Sequence, residues 1–159
     1  MAINLFLPMR SFAACFVLLL GMINVSFAQK RSTTQGIQGV VLWKAGDQMP
    51  SPDRPKQSAS GSGVKRDVYV YTLTTDAQTT KTADGFYQKI RTKLVKKFTT
   101  DAQGRFKIKL PVGKYSLFTK EEKGLYANLY DGNMNIYPIE VKRGKYTEVT
   151  FEISFMAAF

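Results

Sequence analysis

The chain has 159 residues, a length that fits one domain and leaves little room for a second. Its 23 Lys and Arg against 12 Asp and Glu give a net charge of +11, and a hydrophobic content of 44% sets it apart from disordered chains. With no histidine and a single cysteine, Cys15, it lacks the residues for most metal centres and for His- or Cys-based catalysis.

The first segment reads as an address. Arg10 is the only charge before Lys30, and an apolar run over residues 11–23 follows it. Ser26 and Ala28 then supply the small residues of a cleavage site. The expectation is a secretory signal peptide over residues 1–28, cut after Ala28. An uncleaved membrane anchor is the competing reading, because the uncharged stretch is at the short limit of the ~20 residues that span a bilayer. Cys15 precedes most of the apolar run, which argues against lipidation. Residues 29–159 are free of cysteine, so the exported domain must be held by its core alone. Export without a disulfide framework suits a bacterial envelope, with periplasm, cell surface and exterior all open.

Residues 29–35 are polar and read as a flexible lead. Beyond them come short strand patterns and no helical periodicity. Strands are predicted at 37–43, 68–73, 89–99, 105–110, 114–120, 125–130, 135–141 and 146–155, separated by Gly, Pro, Asp and Asn turns. That rhythm predicts an all-β domain over 36–159, an antiparallel sandwich of seven to eight strands. Residues 44–63 carry Pro50, Pro52, Pro55 and a Ser/Gly run, so a long loop is expected there. Residues 74–85 read as a second polar excursion. The pentapeptide Thr-Thr-Asp-Ala-Gln occurs at 74–78 and 99–103, but the flanks differ, which points to shared turn chemistry rather than duplication.

The segment 98–115 is the most informative. Asp101 can bond backbone N–H groups two residues on, and Gly104 can take a positive φ. Phe106, Ile108 and Leu110 fall on one face of a strand, with Arg105, Lys107 and Lys109 on the other. Pro111 ends that strand, Gly113 permits a reversal, and Tyr115 enters the next strand. The expected arrangement is a hairpin in which Lys93, Val95 and Lys97 share a face with Arg105, Lys107 and Lys109.

The pattern Thr-x-Asp-x-x-Gly-x-Phe at 99–106, followed by Leu-Pro-x-Gly-x-Tyr at 110–115, resembles the carboxypeptidase regulatory-like family. The resemblance implies a transthyretin-like sandwich. Gly36-Ile-Gln-Gly-Val-Val41 looks like its first strand, and the closing strands around Gly144 look like its last hairpin. Residues 126–138 look like a signature of a subgroup of small exported bacterial proteins. The family's zinc ligands lie in a separate peptidase domain, so the resemblance implies neither catalysis nor a metal here. Its members act as folding, docking, carbohydrate-binding or envelope-associated modules.

Two candidate surfaces follow. Lys93, Lys97, Arg105, Lys107 and Lys109 form a candidate anion-binding face. Like charges opposite one another cost up to roughly 1 kcal/mol per pair, so a carboxylate, solvent or an anionic partner must offset them. An acidic glycan, lipopolysaccharide or an acidic envelope protein would fit, and nucleic acid would not in that compartment. The competing reading is a solvated face whose edge lysines block aggregation. Tyr126, Tyr130 and Tyr137 form a candidate aromatic contact site, or else core and rim packing.

Other motifs are weaker. Asp131-Gly-Asn-Met-Asn135 echoes a calcium loop, but Ile136 and Lys142 stand where Gly and Glu are needed. Ser62 and Lys65 match Ser-x-x-Lys without its partner motifs. Glu121 and Glu122, adjacent on a strand, point to opposite faces. Alternation over 149–159 resembles the closing strand of an outer-membrane barrel, but Lys-rich strands count against one. The expected function is a non-catalytic binding module of the bacterial envelope with no cofactor. The alternatives are an assembly domain that pairs through strand edges and a small outer-membrane barrel.

Overall fold

Short runs of alternating apolar and polar residues pair here into two sheets. The computed structural model describes residues 34–47 and 61–158. The expected signal peptide (1–28), lead residues 29–33 and loop residues 48–60 lie outside the described residues. The strands in chain order are β1 (Gly36–Asp47), β2 (Ser62–Gly63), β3 (Asp67–Thr72), β4 (Thr79–Lys81), β5 (Tyr87–Ile90), β6 (Leu94–Thr99), β7 (Arg105–Lys109), β8 (Gly113–Glu121), β9 (Gly124–Tyr126), β10 (Pro138–Val141) and β11 (Tyr146–Ala158). A 3-10 turn at Asp76–Gln78 precedes β4.

The first sheet is centred on β1. Strand β11 runs parallel along one edge of β1, from Gly36↔Tyr146 to Asp47↔Ala158. Strands β7 and β2, both antiparallel, share its other edge. The second sheet has seven strands and is centred on β8. Strand β3 lines one edge of β8 and pairs onward with β6. Strands β10 and β9 divide the other edge, and β5 and β4 extend it beyond β9. The result is an all-β, two-sheet sandwich of eleven strands among the described residues, where an antiparallel one of seven to eight was expected: the long parallel β1–β11 pair breaks the antiparallel rule, and short strands such as β2, β4 and β9 raise the count.

Period-two alternation places the core. Ile37, Val41, Phe151 and Ile153 of the first sheet are fully buried, as are Val68, Val70 and Leu117 of the second. The sheets are bridged by aromatic pairs. Phe98 of β6 meets Phe106 of β7 with ring centroids 5.1 Å apart. Tyr137 stacks on Phe151 at 4.4 Å and donates its hydroxyl to Thr150 O over 2.6 Å.

Several expectations are corrected. The expected hairpin over 89–110 does not form: β6 pairs β3 and β7 pairs β1, so the Asp101–Gly104 turn crosses between sheets. The reason is that Phe98 and Phe106 both turn inward to pack one sheet on the other. Pro111 and Gly113 likewise carry the chain from β7 to β8 across the sandwich, and Tyr115 OH donates to Pro111 O at 2.9 Å to hold that crossing. The expected last hairpin is also a crossing, since β10 pairs β8 while β11 pairs β1. The continuous strand at 89–99 breaks at Arg91–Lys93, where Thr92 instead meets Thr74 through their hydroxyls at 2.6 Å. The expected loop loses both ends to strands, 44–47 to β1 and 62–63 to β2. The polar excursion at 74–85 contains β4. Gln35, expected in the lead, is buried, and its Oε1 accepts Gly144 N at 3.1 Å.

One five-residue turn recurs three times, on different sequences. In Thr82–Phe86, Asp101–Arg105 and Asp131–Asn135, the first N–H donates to the fifth carbonyl at 2.8, 3.0 and 3.1 Å. The fourth N–H donates back to the first carbonyl at 3.0, 3.0 and 3.1 Å. The first side-chain oxygen accepts the fifth N–H at 3.1, 2.7 and 2.9 Å. The fourth residue is left-handed each time: Gly85 at φ 82°, Gly104 at 76° and Met134 at 60°. Asp101 therefore anchors the turn as its residue type predicts, through Oδ1 to Gln103 N and Arg105 N.

Asp131 adds a bond from Asn135 Nδ2 to its Oδ2, so turn donors reach both its oxygens. Those bonds, the Asn135 side chain first, lower its pKa from 3.8. A lowered carboxylate pKa contributes stability in full above the unfolded value of about 3.9 and loses it as pH falls through the folded value. Asp131→Asn is therefore expected to flatten the fall in melting temperature between about pH 5 and pH 2. A pH profile parallel to that of the parent would count against this.

Candidate functional site

The basic candidates divide between the sheets. Lys93 is exposed at the bend before β6. Lys97, on the outer face of β6, bonds Asp67 Oδ2 at 2.9 Å and lies over the Tyr69 ring at 5.1 Å. Asp67 also accepts Thr99 Oγ1 at 2.6 Å, and these two bonds, Thr99 first, lower its pKa. Lys97 is thus satisfied within its own sheet and does not share a face with β7. Arg105, Lys107 and Lys109 do stand together, at alternate exposed positions of β7. Alternate strand residues are ~7 Å apart, so these three cations make an evenly spaced row. Lys107 Nζ lies 4.4 Å from the Tyr146 ring centroid. Among the described residues, no carboxylate pairs with any of the three. Lys96, which the sequence reading passed over, extends the row from β6 by donating to Lys109 O at 3.5 Å.

The tyrosines do not form one platform, which corrects the second candidate surface. Tyr126 and Tyr137 are buried and serve β11, a strand with a partner on one side only. Tyr137 caps Thr150 O, and Tyr126 OH accepts Ser154 N at 3.4 Å and meets Ser154 Oγ at 3.2 Å. Tyr137 holds φ at 38°, a strained value for an L residue, and its stack and hydroxyl bond offset the cost.

Tyr130 stands elsewhere, in a polar clasp. Its hydroxyl accepts Lys81 Nζ at 2.8 Å and bonds the Tyr87 hydroxyl, while Lys81 pairs with Asp76. Burial alone would lower the Lys81 pKa, but the bonds to Asp76 and Tyr130 outweigh it and raise the pKa. Burial and then Tyr130 push the Tyr87 phenol up as well. The lysine stays charged and the Tyr87 phenol stays protonated at neutral pH. The cluster therefore ties the β4–β5 hairpin to the loop before β10.

The sequence reading missed a pocket of about 310 Å³ where β1, β8 and β11 end. Trp43, Phe86, Phe155 and Met156 give it apolar walls. Phe155 meets Trp43 at 5.2 Å, Phe86 at 5.0 Å and Tyr126 at 5.2 Å, all nearly edge to face. Arg66, Glu121, Glu122 and Lys123 form the polar side. Arg66 Nε donates to both oxygens of buried Glu121, at 3.3 and 3.2 Å, and the guanidinium sits 5.5 Å from the Trp43 ring. Lys123 pairs with Asp84 at 2.6 Å. The signal in the sequence was the single tryptophan, set three residues before the predicted loop's Gly46.

Among the described residues, no group of three His, Cys, Asp or Glu side chains is placed to hold a metal. Comparison of the chain with protein-family models, curated proteins and solved structures finds no match in any of the three.

Proposed function

We propose that this chain is an exported, non-catalytic binding module of the bacterial envelope, with a transthyretin-like sandwich of the carboxypeptidase regulatory-like kind, and that it holds an anionic partner along β7. The observation that carries the reading is the row Arg105, Lys107 and Lys109, three exposed cations with no described carboxylate to neutralise them. An acidic glycan is the partner class that best matches an extended, repeating charge. The two-sheet architecture supports the family reading, as do the turn residues Asp101 and Gly104 and the crossing residues Pro111, Gly113 and Tyr115. Pairing through β11 is the less supported alternative, because Tyr126 and Tyr137 already cap backbone groups of that strand.

Heparin serves as a polysulfated probe. Arg105→Gln/Lys107→Gln/Lys109→Gln is expected to bind it about tenfold more weakly at low salt and to elute earlier, since three exposed contacts of about 0.5 kcal/mol each sum to that factor. Lys89→Gln/Arg91→Gln/Lys120→Gln removes the same charge from exposed positions of the other sheet and is expected to leave affinity near the parent value. Equal losses in both variants would mean that net charge alone attracts the probe, and would overturn the β7 site.

A further inference from the structure

The pocket beside Trp43 carries a separate inference from its donor count. A guanidinium has five N–H donors. Arg66 spends Nε on Glu121 and one Nη1 hydrogen on Lys65 O at 3.0 Å. The other Nη1 hydrogen and both Nη2 hydrogens have no partner among the described residues. Its orientation is nevertheless fixed, by Glu121 on one edge and by the face of Trp43. Next to this donor edge are apolar groups that folding has left open: Phe155 is 37% exposed and Met156 61%. A fixed, half-used guanidinium beside an open apolar wall matches a ligand with an anionic head and an apolar body.

We propose that this pocket binds an amphipathic carboxylate, its head on the free Nη edge of Arg66 and its chain against Trp43, Phe155 and Met156. All but one of the charges lining the pocket are paired. Glu121 is matched by Arg66 and Lys123 by Asp84, so Glu122 is the one lining carboxylate without a described partner. It defines the opposing outcome, a cationic amphiphile. The site is distinct from the β7 row, and neither proposal depends on the other.

Trp43 is the only tryptophan in the chain, so its emission reports on this pocket alone. The probe is sodium decanoate below its micellar concentration, titrated into the full 159-residue chain. A saturable shift of Trp43 emission is expected, with no such shift from decyltrimethylammonium. Arg66→Lys keeps the charge opposite Glu121 but loses the planar fork, and is expected to weaken decanoate binding about tenfold. Met156→Asp changes a residue that is 61% exposed, is expected to leave the fold intact, and is expected to weaken decanoate by a similar factor by setting a charge against its apolar chain. Absence of a saturable decanoate shift, unchanged affinity in both variants, or preference for the cationic amphiphile would each overturn the proposal.

Discussion

Gly104→Ala is expected to destabilise the domain by about 3 kcal/mol, measured by chemical denaturation, and Gly104→Val by at least as much. Two effects add. The φ of 76° costs an L residue roughly 1–2 kcal/mol by itself. A Cβ there would also stand 2.2 Å from Val41 O and 2.8 Å from Val64 N, both backbone atoms that cannot swing aside. Val41 N donates to Gly104 O at 2.8 Å, so the turn is bonded to β1 on the same side that a methyl group would push away. Gly144 provides the internal control. Its φ is 75°, but nothing lies within 4 Å of its would-be Cβ. Gly144→Ala is therefore expected to cost only about 1 kcal/mol. Equal losses at the two sites would show that backbone strain alone, and not the approach of β1, makes Gly104 necessary.

Phe151→Ala is expected to cost about 3–5 kcal/mol, the range for emptying a fully buried aromatic site. Phe151 lies at the centre of β11 and carries the Tyr137 ring across from the segment leading into β10. Its loss removes packing in the first sheet and the support for a strained residue of the second. A melting temperature within a few degrees of the parent would mean that the two sheets do not depend on this stack.

The elements were more legible than their partners. Strands β1, β3, β7, β8 and β11 could be read from alternation, and the alternation in β11 matches the burial of Val149, Phe151 and Ile153. Pairing was not legible. Residues 98–106 look like a hairpin because an Asp-anchored turn with a left-handed glycine is good hairpin chemistry. The same turn serves equally well to pass from sheet to sheet, and only the inward packing of Phe98 and Phe106 decides between the two. That misreading carried the candidate site with it: Lys97 was placed beside Arg105, whereas Asp67 claims it. The row Arg105, Lys107 and Lys109 survives because it needs only the period of one strand. Tyr126 and Tyr137 were marked as aromatic and near a turn, but a tyrosine hydroxyl that caps a strand thirteen residues or more away leaves no trace in local sequence. The Trp43 pocket left only its single tryptophan as a trace, because its walls come from segments far apart in the chain.

The parallel pairing of β1 with β11 sets an order of events. Gln38 of β1 meets Glu148, 110 residues downstream. During synthesis the central strand of the first sheet must therefore remain without its longest neighbour until almost all of the described chain has been made. Closing a loop of that size is slow compared with forming local turns. The first sheet would stay open through most of elongation, even where strands of the second sheet had already paired.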